Sequence, residues 1–531
     1  MSDMDESQKD IEKLIEEFRA QYAENNRITD DNYDKSLAVK CVNGTFVGRK
    51  TDGIIAYKGI PFVGRQPSGD LRWKAPALFT PDDGVYEAYN NAKSAYGNGE
   101  METGSLFLQD EDCLYLNVWK ADEASEEKKP VMVWIHGGGF EAGGTVDPMF
   151  DCSNFLKENP DVIVVTIAYR LAVFGFLHLS HLPDGKDYPD AQNLGLLDQM
   201  MALKWVHENI EGFGGDPENV TIFGESAGAG SCSMLPLIEG SQKYFKRVIA
   251  QSGAPNLTRS PEEGIACTNE VMEILGCKTV SDLLQTEAEK LHAASAALTL
   301  RQFPERDGHV LPADPYKAYE DGAAKDIEFV VGCNKDEMNF FVVGFGVENF
   351  VAWAAARKAG KLAQLTDEER ELVESFCEDV QGEQYEKDSS LFSQVMFNAP
   401  IIKLSECQSK AGGKIYTYYF TPESTVPIMK CGHSIELASV FNHPEVTDDT
   451  GRVFDETFSK TMRKMWIQFA KTGNPSLSAD ISPDGKEKQW PLYNSEDKEV
   501  MVLDEFNIHP EKESELKIVD WERTYFMVNY Y

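Results

Sequence analysis

Phe223-Gly224-Glu225-Ser226-Ala227-Gly228-Ala229-Gly230 is the stretch that decides the fold, because it places Gly-x-Ser-x-Gly between two different elements. The β-branched and aromatic run 220–223 before it is typical of a buried strand, and the small residues after it suit a helix. In a strand–turn–helix elbow the serine occupies a strained backbone position with its Oγ exposed. The sequence therefore predicts that Ser226 is a nucleophile.

A second glycine-rich stretch supplies groups that such a nucleophile needs. The apolar run 131–135 predicts a buried strand, and it leads into His136-Gly137-Gly138-Gly139-Phe140. An acyl-transfer enzyme stabilises the oxyanion of its tetrahedral intermediate with backbone N–H groups. We therefore expect an oxyanion hole formed by the N–H groups of Gly138, Gly139 and Ala227. The alternative, an ordinary glycine turn after a strand, is disfavoured because the elbow follows in the same chain.

The composition indicates a large globular protein with an acidic surface. The chain has 531 residues, 42% of them hydrophobic, and a formal net charge of −37. This charge disfavours nucleic acid and anionic membrane surfaces as partners. The sequence shows neither an apolar run long enough to span a membrane nor an N-terminal secretory signal. We expect small-molecule partners, with no nucleic acid and no membrane, and a monomer or small homo-oligomer.

The ten cysteines are scattered, without a Cys-x-x-Cys pair or a Cys/His cluster of zinc spacing. Several lie in apolar runs, which favours reduced, buried thiols. The sequence thus predicts a cytoplasmic protein that uses no metal and no cofactor.

Strand and helix patterns alternate along the middle of the chain. Strands are predicted at 131–135, 162–169, 220–224, 247–251 and 328–332, and helices at 193–210 and 226–237. Such alternation is typical of an α/β fold with a mostly parallel central sheet and helices on both faces. The charged segments 260–325 and 345–410 are predicted to be helical insertions that cap this sheet.

The chain divides into two predicted parts of unequal size. Residues 1–35 are acidic, and apolar positions at helical spacing within 8–23 predict an N-terminal helical arm. Residues 36–531 are predicted to form one domain.

Several longer motifs resemble the type-B carboxylesterase/cholinesterase family of α/β-hydrolases. The segment 111–119, Glu-Asp-Cys-Leu-Tyr-Leu-Asn-Val-Trp, is similar to one signature of that family, and 212–230 is similar to its nucleophile signature. The segment 136–140 resembles its oxyanion loop. The resemblance covers roughly residues 37 to 525 and is strongest to bacterial carboxylesterases of the para-nitrobenzyl-esterase type. It implies an α/β-hydrolase fold.

The resemblance also implies the partners of the serine. A serine hydroxyl needs a base to remove its proton and an acid to orient that base, and α/β-hydrolases carry these in the order Ser, acid, His. The acid of this family is usually a glutamate in a segment like 332–337, which implies Glu337, with the adjacent Asp336 as the alternative. The family's histidine loop resembles 431–437, which implies His433 as the base.

Other polar residues receive supporting roles from the resemblance. Glu225, beside the nucleophile, is expected either to tune the electrostatics of the site or to be an ordinary buried carboxylate. Glu111 and Arg170 match an ion pair that braces the sheet edge. Ser252 is expected to support the site, and His136 is expected to be structural.

Departures from the family pattern narrow the expected function. Secreted members pair cysteines like Cys113 and Cys277 with partners that 85–112 and 278–295 lack here, and cholinesterases carry a choline-binding tryptophan that 85–110 lacks. The resemblance therefore implies an intracellular bacterial carboxylesterase that hydrolyses esters of short- to medium-chain acids through an acyl-enzyme. A lipase or special-ester hydrolase, and a non-catalytic adhesion protein of the same fold, are the alternatives.

Overall fold

The computed structural model describes residues 22–97, 107–123, 125 and 127–528. The predicted helical pattern over 8–23 falls almost wholly outside these residues. The division into an arm at 1–35 and a single domain at 36–531 therefore stays a prediction.

The described residues form two compact units. Unit 1 contains the described residues up to Val220, together with 243–245 and 259–310. Unit 2 contains 221–242, 246–258 and the described residues from Leu311 onward.

The strands follow the chain in fifteen segments within the described residues. They are β1 Arg27–Ile28, β2 Ala38–Cys41, β3 Asn43–Val47, β4 Arg49–Thr51, β5 Ile54–Pro61, β6 Asp82–Glu87, β7 Tyr115–Ala121, β8 Lys129–Ile135, β9 Ile163–Ile167, β10 Gly215–Glu225, β11 Arg247–Gln251, β12 Glu328–Asn334, β13 Ile415–Phe420, β14 Glu499–Leu503 and β15 His509–Lys512.

The α-helices lie between and after these strands. They are α1 Ser153–Glu158, α2 Ala172–Gly175, α3 Leu194–Asn209, α4 Ala227–Met234, α5 Pro261–Leu275, α6 Val280–Leu284, α7 Ala288–Ser295, α8 Pro315–Glu320, α9 Asn339–Phe345, α10 Val347–Leu362, α11 Asp367–Asp379, α12 Gln384–Ser393, α13 Ala399–Lys410, α14 Leu437–Phe441, α15 Glu456–Thr472, α16 Glu513–Leu516 and α17 Trp521–Thr524.

Each unit has its own strand order. In unit 1, a small sheet has the order β1-β6-β3-β2, and a further group has the order β4-β5-β7-β9-β8. Within that group β8 and β9 are parallel and the other neighbours are antiparallel. In unit 2, the order is β10-β11-β12-β13-β14-β15, parallel except for the last pair. The strand pairing is thus partly parallel and partly antiparallel. The parallel pairs lie mostly where the sequence predicted strands alternating with helices.

The predicted core segments are confirmed to within a few residues. The runs 131–135, 247–251 and 328–332 lie within β8, β11 and β12, and the helix predicted at 193–210 is α3. Every residue of β9 is buried, and so are residues 131–135. Strands covered on both faces need continuous apolar sequence rather than alternation, which explains why these runs were recognisable.

Helix boundaries follow from local hydrogen bonding. Ser260 precedes α5, its Oγ accepts from the N–H of Glu263, and the Glu263 carboxylate accepts from the N–H of Ser260. Pro261 occupies the first helical position, and Gly276 ends the helix with φ 68°, which glycine adopts without steric cost. The insertions predicted to be helix-rich do contain α5–α8 and α10–α13.

A glycine separates two helices of unit 2. Within the described part of the chain, no single helix is long and apolar enough to cross a membrane. The helices α9 and α10 reach that length and composition only as a pair, and the pair is bent by 119°. Gly346, with φ 78°, lies at the bend.

A buried ion pair in unit 1 corrects one expectation. Arg170 donates to both carboxylate oxygens of Asp198 at 2.7 Å, and its backbone N–H donates to the same carboxylate at 3.0 Å. Glu111 instead accepts from Arg72 at 2.5 and 2.6 Å. The predicted Glu111–Arg170 pair was wrong. Each guanidinium forms a bidentate ion pair with one carboxylate. Arg170 is therefore paired with Asp198 and Glu111 with Arg72, rather than with each other.

We predict that Asp198→Ala strongly destabilises the fold. The side chains of Arg170 and Asp198 are 3% and 0% exposed, so the substitution leaves a guanidinium buried without its counter-charge. Breaking such a pair costs about 3–5 kcal/mol in the free energy of unfolding, which urea denaturation measures. Asp321→Ala is the matched control, because Asp321 pairs with Lys317 at the surface. Equal losses for the two variants would contradict the prediction.

Candidate active site

Ser226 lies at the sharp turn between β10 and α4 in unit 2. Its φ is 56° and its ψ is −123°, a conformation that costs a residue with a side chain on the order of 1–3 kcal/mol. Its N–H donates to the carbonyl of Gln251, and its carbonyl accepts from the N–H of Gly230, both at 2.8 Å. The strained turn predicted from the sequence is therefore present, and the serine is only partly buried.

The chain after β11 supports this turn through its backbone. A Cβ on Gly253 would overlap the carbonyl oxygen of Ser226 and would lie 2.8 Å from the backbone nitrogen of Gly230. Ser252 also has a positive φ, 57°, and its N–H donates to the carbonyl of Gly332 at 2.8 Å. Its Oγ is buried and has no hydrogen-bond partner among the described residues. The described hydrogen bond of Ser252 at this turn is thus made by its backbone.

His433 and Glu337 are joined by two contacts deep in unit 2. Nδ1 of His433 lies 2.5 Å from Oε2 of Glu337, and the backbone N–H of His433 donates to the Glu337 carbonyl at 3.1 Å. Oε1 of Glu337 accepts from the N–H of Asn334 at 2.7 Å. A carboxylate only accepts hydrogen bonds, so Nδ1 of His433 carries a proton, and Nε2 is the nitrogen that acts as the base when the ring is neutral.

Asp336, the alternative acid, has a different partner. Its carboxylate accepts from the backbone N–H of Cys431 at 3.4 Å, and its own N–H donates to the Cys431 carbonyl at 2.9 Å. Asp336 therefore braces the loop that carries His433, whereas Glu337 contacts the imidazole ring. The geometry favours Glu337 as the orienting acid.

Glu225 faces the other nitrogen of the ring. Oε1 of Glu225 lies 3.0 Å from Nε2 of His433 and accepts from Oγ of Ser434 at 2.7 Å. Within the described residues, Nε2 makes no hydrogen bond to Ser226. Hydrogen bonds between a base and its nucleophile often align only when substrate is bound. Glu225 thus contacts the imidazole directly, which favours the electrostatic role over that of an ordinary buried carboxylate.

Burial and charge oppose each other at this histidine. Burial raises the pKa of the Glu225 carboxyl, and the facing ring of His433 works against that rise. Burial also disfavours the imidazolium form of His433, but the carboxylates of Glu225 and Glu337 outweigh it and raise the pKa of His433. The charge on Glu225 therefore helps to set how readily His433 holds a proton.

A buried hydrogen-bond network supports the same loop. Glu436 accepts from Nε2 of Gln251 at 3.0 Å and from Nδ2 of Asn334 at 2.8 Å. Gln251 in turn accepts from the indole N–H of Trp466 at 2.9 Å. Asn334 also donates to the carbonyl of Gly432, next to His433, at 2.8 Å. The ends of β11 and β12 are thereby tied to the histidine loop by hydrogen bonds.

Aromatic side chains that the sequence did not identify surround His433. The ring centres of Phe397, Phe341 and Phe340 lie 4.7, 5.4 and 6.1 Å from that of His433. Phe397 belongs to a π-helical turn, Gln394–Asn398, between α12 and α13. Such turns recur at functional sites. Apolar periodicity predicts a helix here but carries no signal for the extra residue of a π turn.

The predicted oxyanion donors are distributed over the two units. Gly138 and Gly139 follow β8 in unit 1 and have φ values of 97° and 63°. A Cβ on Gly138 would overlap the backbone of Ala142, so this position requires glycine. Ala227 is the first residue of α4 in unit 2 and is buried. That these three residues form one oxyanion hole stays a prediction.

Buried ionisable side chains brace the glycine loop of unit 1. The Glu141 carboxylate accepts from three consecutive backbone N–H groups, 300–302, at 2.9, 3.1 and 3.2 Å. Nδ1 of His136 lies 2.9 Å from the carbonyl of Gly137, and its ring stacks on Tyr169. Burial lowers the pKa of His136 to about 4, so the ring is neutral at physiological pH. These contacts favour a structural role for His136.

Comparison with known proteins gives the family. The model of the carboxylesterase family matches residues 35–518. The chain belongs to the carboxylesterase family. It is 36% identical over 504 residues to the para-nitrobenzyl esterase of Bacillus subtilis (strain 168), which covers 89% of this chain and 96% of that protein. It is 30% identical over 505 residues to the cholinesterase of Mus musculus, which covers 85% of this chain and 79% of that protein.

Solved structures agree with the family assignment. The crystal structure of the Geobacillus stearothermophilus carboxylesterase EST55 at pH 6.2 has a TM-score of 0.79 and 31% identity, over 92% of this chain and 99% of that one. A thermophilic PNB esterase gives the same four values. The predicted family and α/β-hydrolase fold are confirmed, and this carboxylesterase is a carboxylic ester hydrolase, as predicted.

We predict that Glu225→Gln lowers the pKa of His433. A neutral amide at this position no longer attracts the imidazolium, so the neutral ring persists to lower pH. Titration of ¹³Cε1-labelled histidine by NMR, with the signal assigned from a His433→Gln sample, measures the change. Glu445→Gln is the matched control, because Glu445 is an exposed carboxylate that faces His443 instead. An unchanged or higher pKa of His433 in Glu225→Gln would contradict the prediction.

Proposed function

We propose that this carboxylesterase hydrolyses esters of short- to medium-chain carboxylic acids through an acyl-enzyme on Ser226. The observation that carries the proposal is the imidazole of His433, held at 2.5 Å by Glu337 and contacting residue 225, the neighbour of Ser226 in the chain. Ser226 itself lies at a positive-φ elbow ahead of a helix, where a nucleophilic serine is expected.

The proposed reaction has two halves. His433 takes the proton from Ser226 as Oγ attacks the ester carbonyl carbon, and the N–H groups of Gly138, Gly139 and Ala227 hold the oxyanion. The alcohol then leaves with the proton from His433, and the acyl group stays on Oγ. A water molecule, deprotonated by the same histidine, attacks the acyl-enzyme and releases the acid. The mechanism uses only side chains, backbone N–H groups and water.

Glu337 and Glu225 act on His433 in different ways. Glu337 orients the ring and keeps a proton on Nδ1, so that Nε2 of the neutral ring accepts the serine proton. Once His433 is protonated, the imidazolium lies between two carboxylates that are 0% and 4% exposed, where charge attraction is weakly screened. Both carboxylates therefore stabilise the charged intermediate form of the base.

The proposed substrates are small esters rather than long-chain lipids. One relative bears the name para-nitrobenzyl esterase, which supports small benzyl-type esters as substrates of this chain too. The aromatic rings of Phe397 and Phe341 beside His433 give the site an apolar wall suited to such groups. We infer a monomer or small homo-oligomer that binds neither nucleic acid nor membranes, consistent with its charge of −37.

We infer further that the protein works in the reducing cytoplasm of a bacterium. Its ten cysteines are free thiols, seven of them buried, and burial raises the pKa of Cys113 and Cys232 well above the usual thiol value. One relative comes from Bacillus subtilis. The test is to block the free thiols by alkylation within the cells that make the protein and then to look for disulfides. Disulfides found after this treatment would contradict the cytoplasmic location.

We predict that Ser226→Ala abolishes the steady-state turnover of p-nitrophenyl esters. Wild-type protein should turn over acetate, butyrate and octanoate esters faster than palmitate, and the variant should lose at least about 10⁴-fold in kcat. Release of p-nitrophenolate measures both. A maximum at palmitate would contradict the short- to medium-chain proposal and favour a lipase. Equal turnover by wild type and variant would contradict the role of the serine.

We predict that Glu337→Gln and Asp336→Asn differ sharply in activity, although the residues are adjacent. Loss of the charge that holds Nδ1–H should lower kcat on the order of 10³- to 10⁴-fold for Glu337→Gln. Asp336→Asn leaves that contact intact and should change kcat less than about tenfold. The same p-nitrophenyl butyrate assay measures both, with thermal unfolding as the check on folding. The reverse order would assign the acid to Asp336.

A further inference from the structure

A second serine in unit 1 lies against a histidine and a buried glutamate. Oγ of Ser180 is 3.0 Å from Nε2 of His178, and Nδ1 of His178 is 2.9 and 3.0 Å from the two carboxylate oxygens of Glu305. Glu305 is fully buried and His178 is 9% exposed, whereas Ser180 is exposed to solvent. The cluster therefore has a protected acid, a largely protected base and an accessible hydroxyl.

The hydrogen bonds fix where the protons lie. An ionised carboxylate only accepts, so Nδ1 of His178 carries the proton that points at Glu305. When the ring is neutral, its lone pair is on Nε2, and the hydroxyl of Ser180 donates to it. This is the tautomer in which a histidine accepts a proton from a serine nucleophile.

Glu305 is confined from several sides. Its backbone N–H donates to Oδ1 of Asn193 at 2.8 Å, and its carbonyl accepts from Nδ2 of the same residue at 2.9 Å. The carboxylate packs against Gly264 on α5, where a Cβ would overlap it. The buried guanidinium of Arg259 supplies a favourable positive charge nearby. A carboxylate held in this way presents one fixed orientation to His178.

Two other polar groups among the described residues, His443 with Glu445 and Ser36 with Asp34, lack the full arrangement. Nδ1 of His443 lies 3.0 Å from Glu445, but the Glu445 side chain is 63% exposed, and exposed pairs contribute little. Ser36 is an exposed serine whose hydroxyl donates to the carboxylate of Asp34 rather than to an imidazole. Ser180 combines exposure with a base that is itself oriented by buried charge.

We propose that Ser180 is a second nucleophilic hydroxyl, activated by His178 and Glu305, that reacts with small phosphonyl fluorides and activated aryl esters. With a phosphonyl fluoride, the Oγ–phosphorus bond forms as the phosphorus–fluorine bond breaks. The hydroxyl proton passes to Nε2 of His178, and fluoride leaves with the bonding electrons. With an aryl ester, Oγ bonds to the carbonyl carbon and a phenolate leaves. Such leaving groups depart without a donated proton, which suits a solvent-exposed serine.

The test uses full-length protein in which Ser226→Ala removes the first nucleophile. The protein is treated with a fluorophosphonate, and the modified fractions of Ser180 and Ser36 are followed over time by peptide mass spectrometry. Ser36 is the matched control, because it is exposed but has no imidazole partner. We expect Ser180 to be modified on the order of a hundredfold faster than Ser36. Modification of Ser180 no faster than that of Ser36, in folded protein, would overturn the proposal.

Two further variants separate activation from exposure. Adding His178→Ala to the Ser226→Ala protein should lower the modification rate of Ser180 to that of Ser36. Free imidazole in the buffer should then restore part of the rate, whereas a purely structural role of His178 predicts no such rescue. Glu305→Gln keeps the size of the side chain and should also slow the reaction. Thermal unfolding, and p-nitrophenyl butyrate turnover of each variant with Ser226 intact, check the fold. If His178→Ala left the rate of Ser180 modification by the fluorophosphonate unchanged, the proposal would be overturned.

Discussion

The positive-φ turn at Ser226 is the constraint on which the rest of the site depends. A side-chain-bearing residue stays in this conformation only where its neighbours enforce it, and here the carbonyl of Gln251 and the close backbone at Gly253 do so. The turn ends β10 and begins α4 at one residue, so it places Glu225 at the tip of a strand. That placement brings the Glu225 carboxylate to His433 while leaving Ser226 partly exposed.

The charge balance around His433 follows from this placement. Two buried carboxylates face one imidazole, so a single imidazolium cannot neutralise both of them. Glu337 is the better satisfied anion, because it also accepts a backbone N–H, whereas Glu225 is assisted by one hydroxyl, that of Ser434. Burial accordingly raises the pKa of Glu225. Glu337 is thus suited to orient the ring of His433, and Glu225 carries a charge that changes with pH.

Local sequence predicted the elements and the elbow, because those depend on short-range patterns. Continuous apolar runs predicted β8 and β11. The glycines on either side of Ser226 predicted a tight turn that residues with side chains adopt only at a cost in energy. Contacts between side chains that are far apart in the sequence could not be predicted from such local patterns. Arg170 faces Asp198, an α3 residue with no distinguishing context, and Phe397 reaches His433 through a π turn that periodicity does not encode.

The proposed site at Ser226 and the cluster around Ser180 differ in what they supply to a serine hydroxyl. His178 was one of nine histidines in the sequence, and its partner Glu305 lies 127 residues away, so only the fold reveals the cluster around Ser180. Ser226 adds a strained turn and the N-terminus of α4, and stabilisation of developing charge by fixed dipoles is usually the largest part of catalysis. At Ser180, the oriented base assists only the removal of the hydroxyl proton and does not stabilise the charge that develops on the substrate. Ser180 should therefore react with strong electrophiles yet release the product slowly, since release requires the same charge stabilisation a second time.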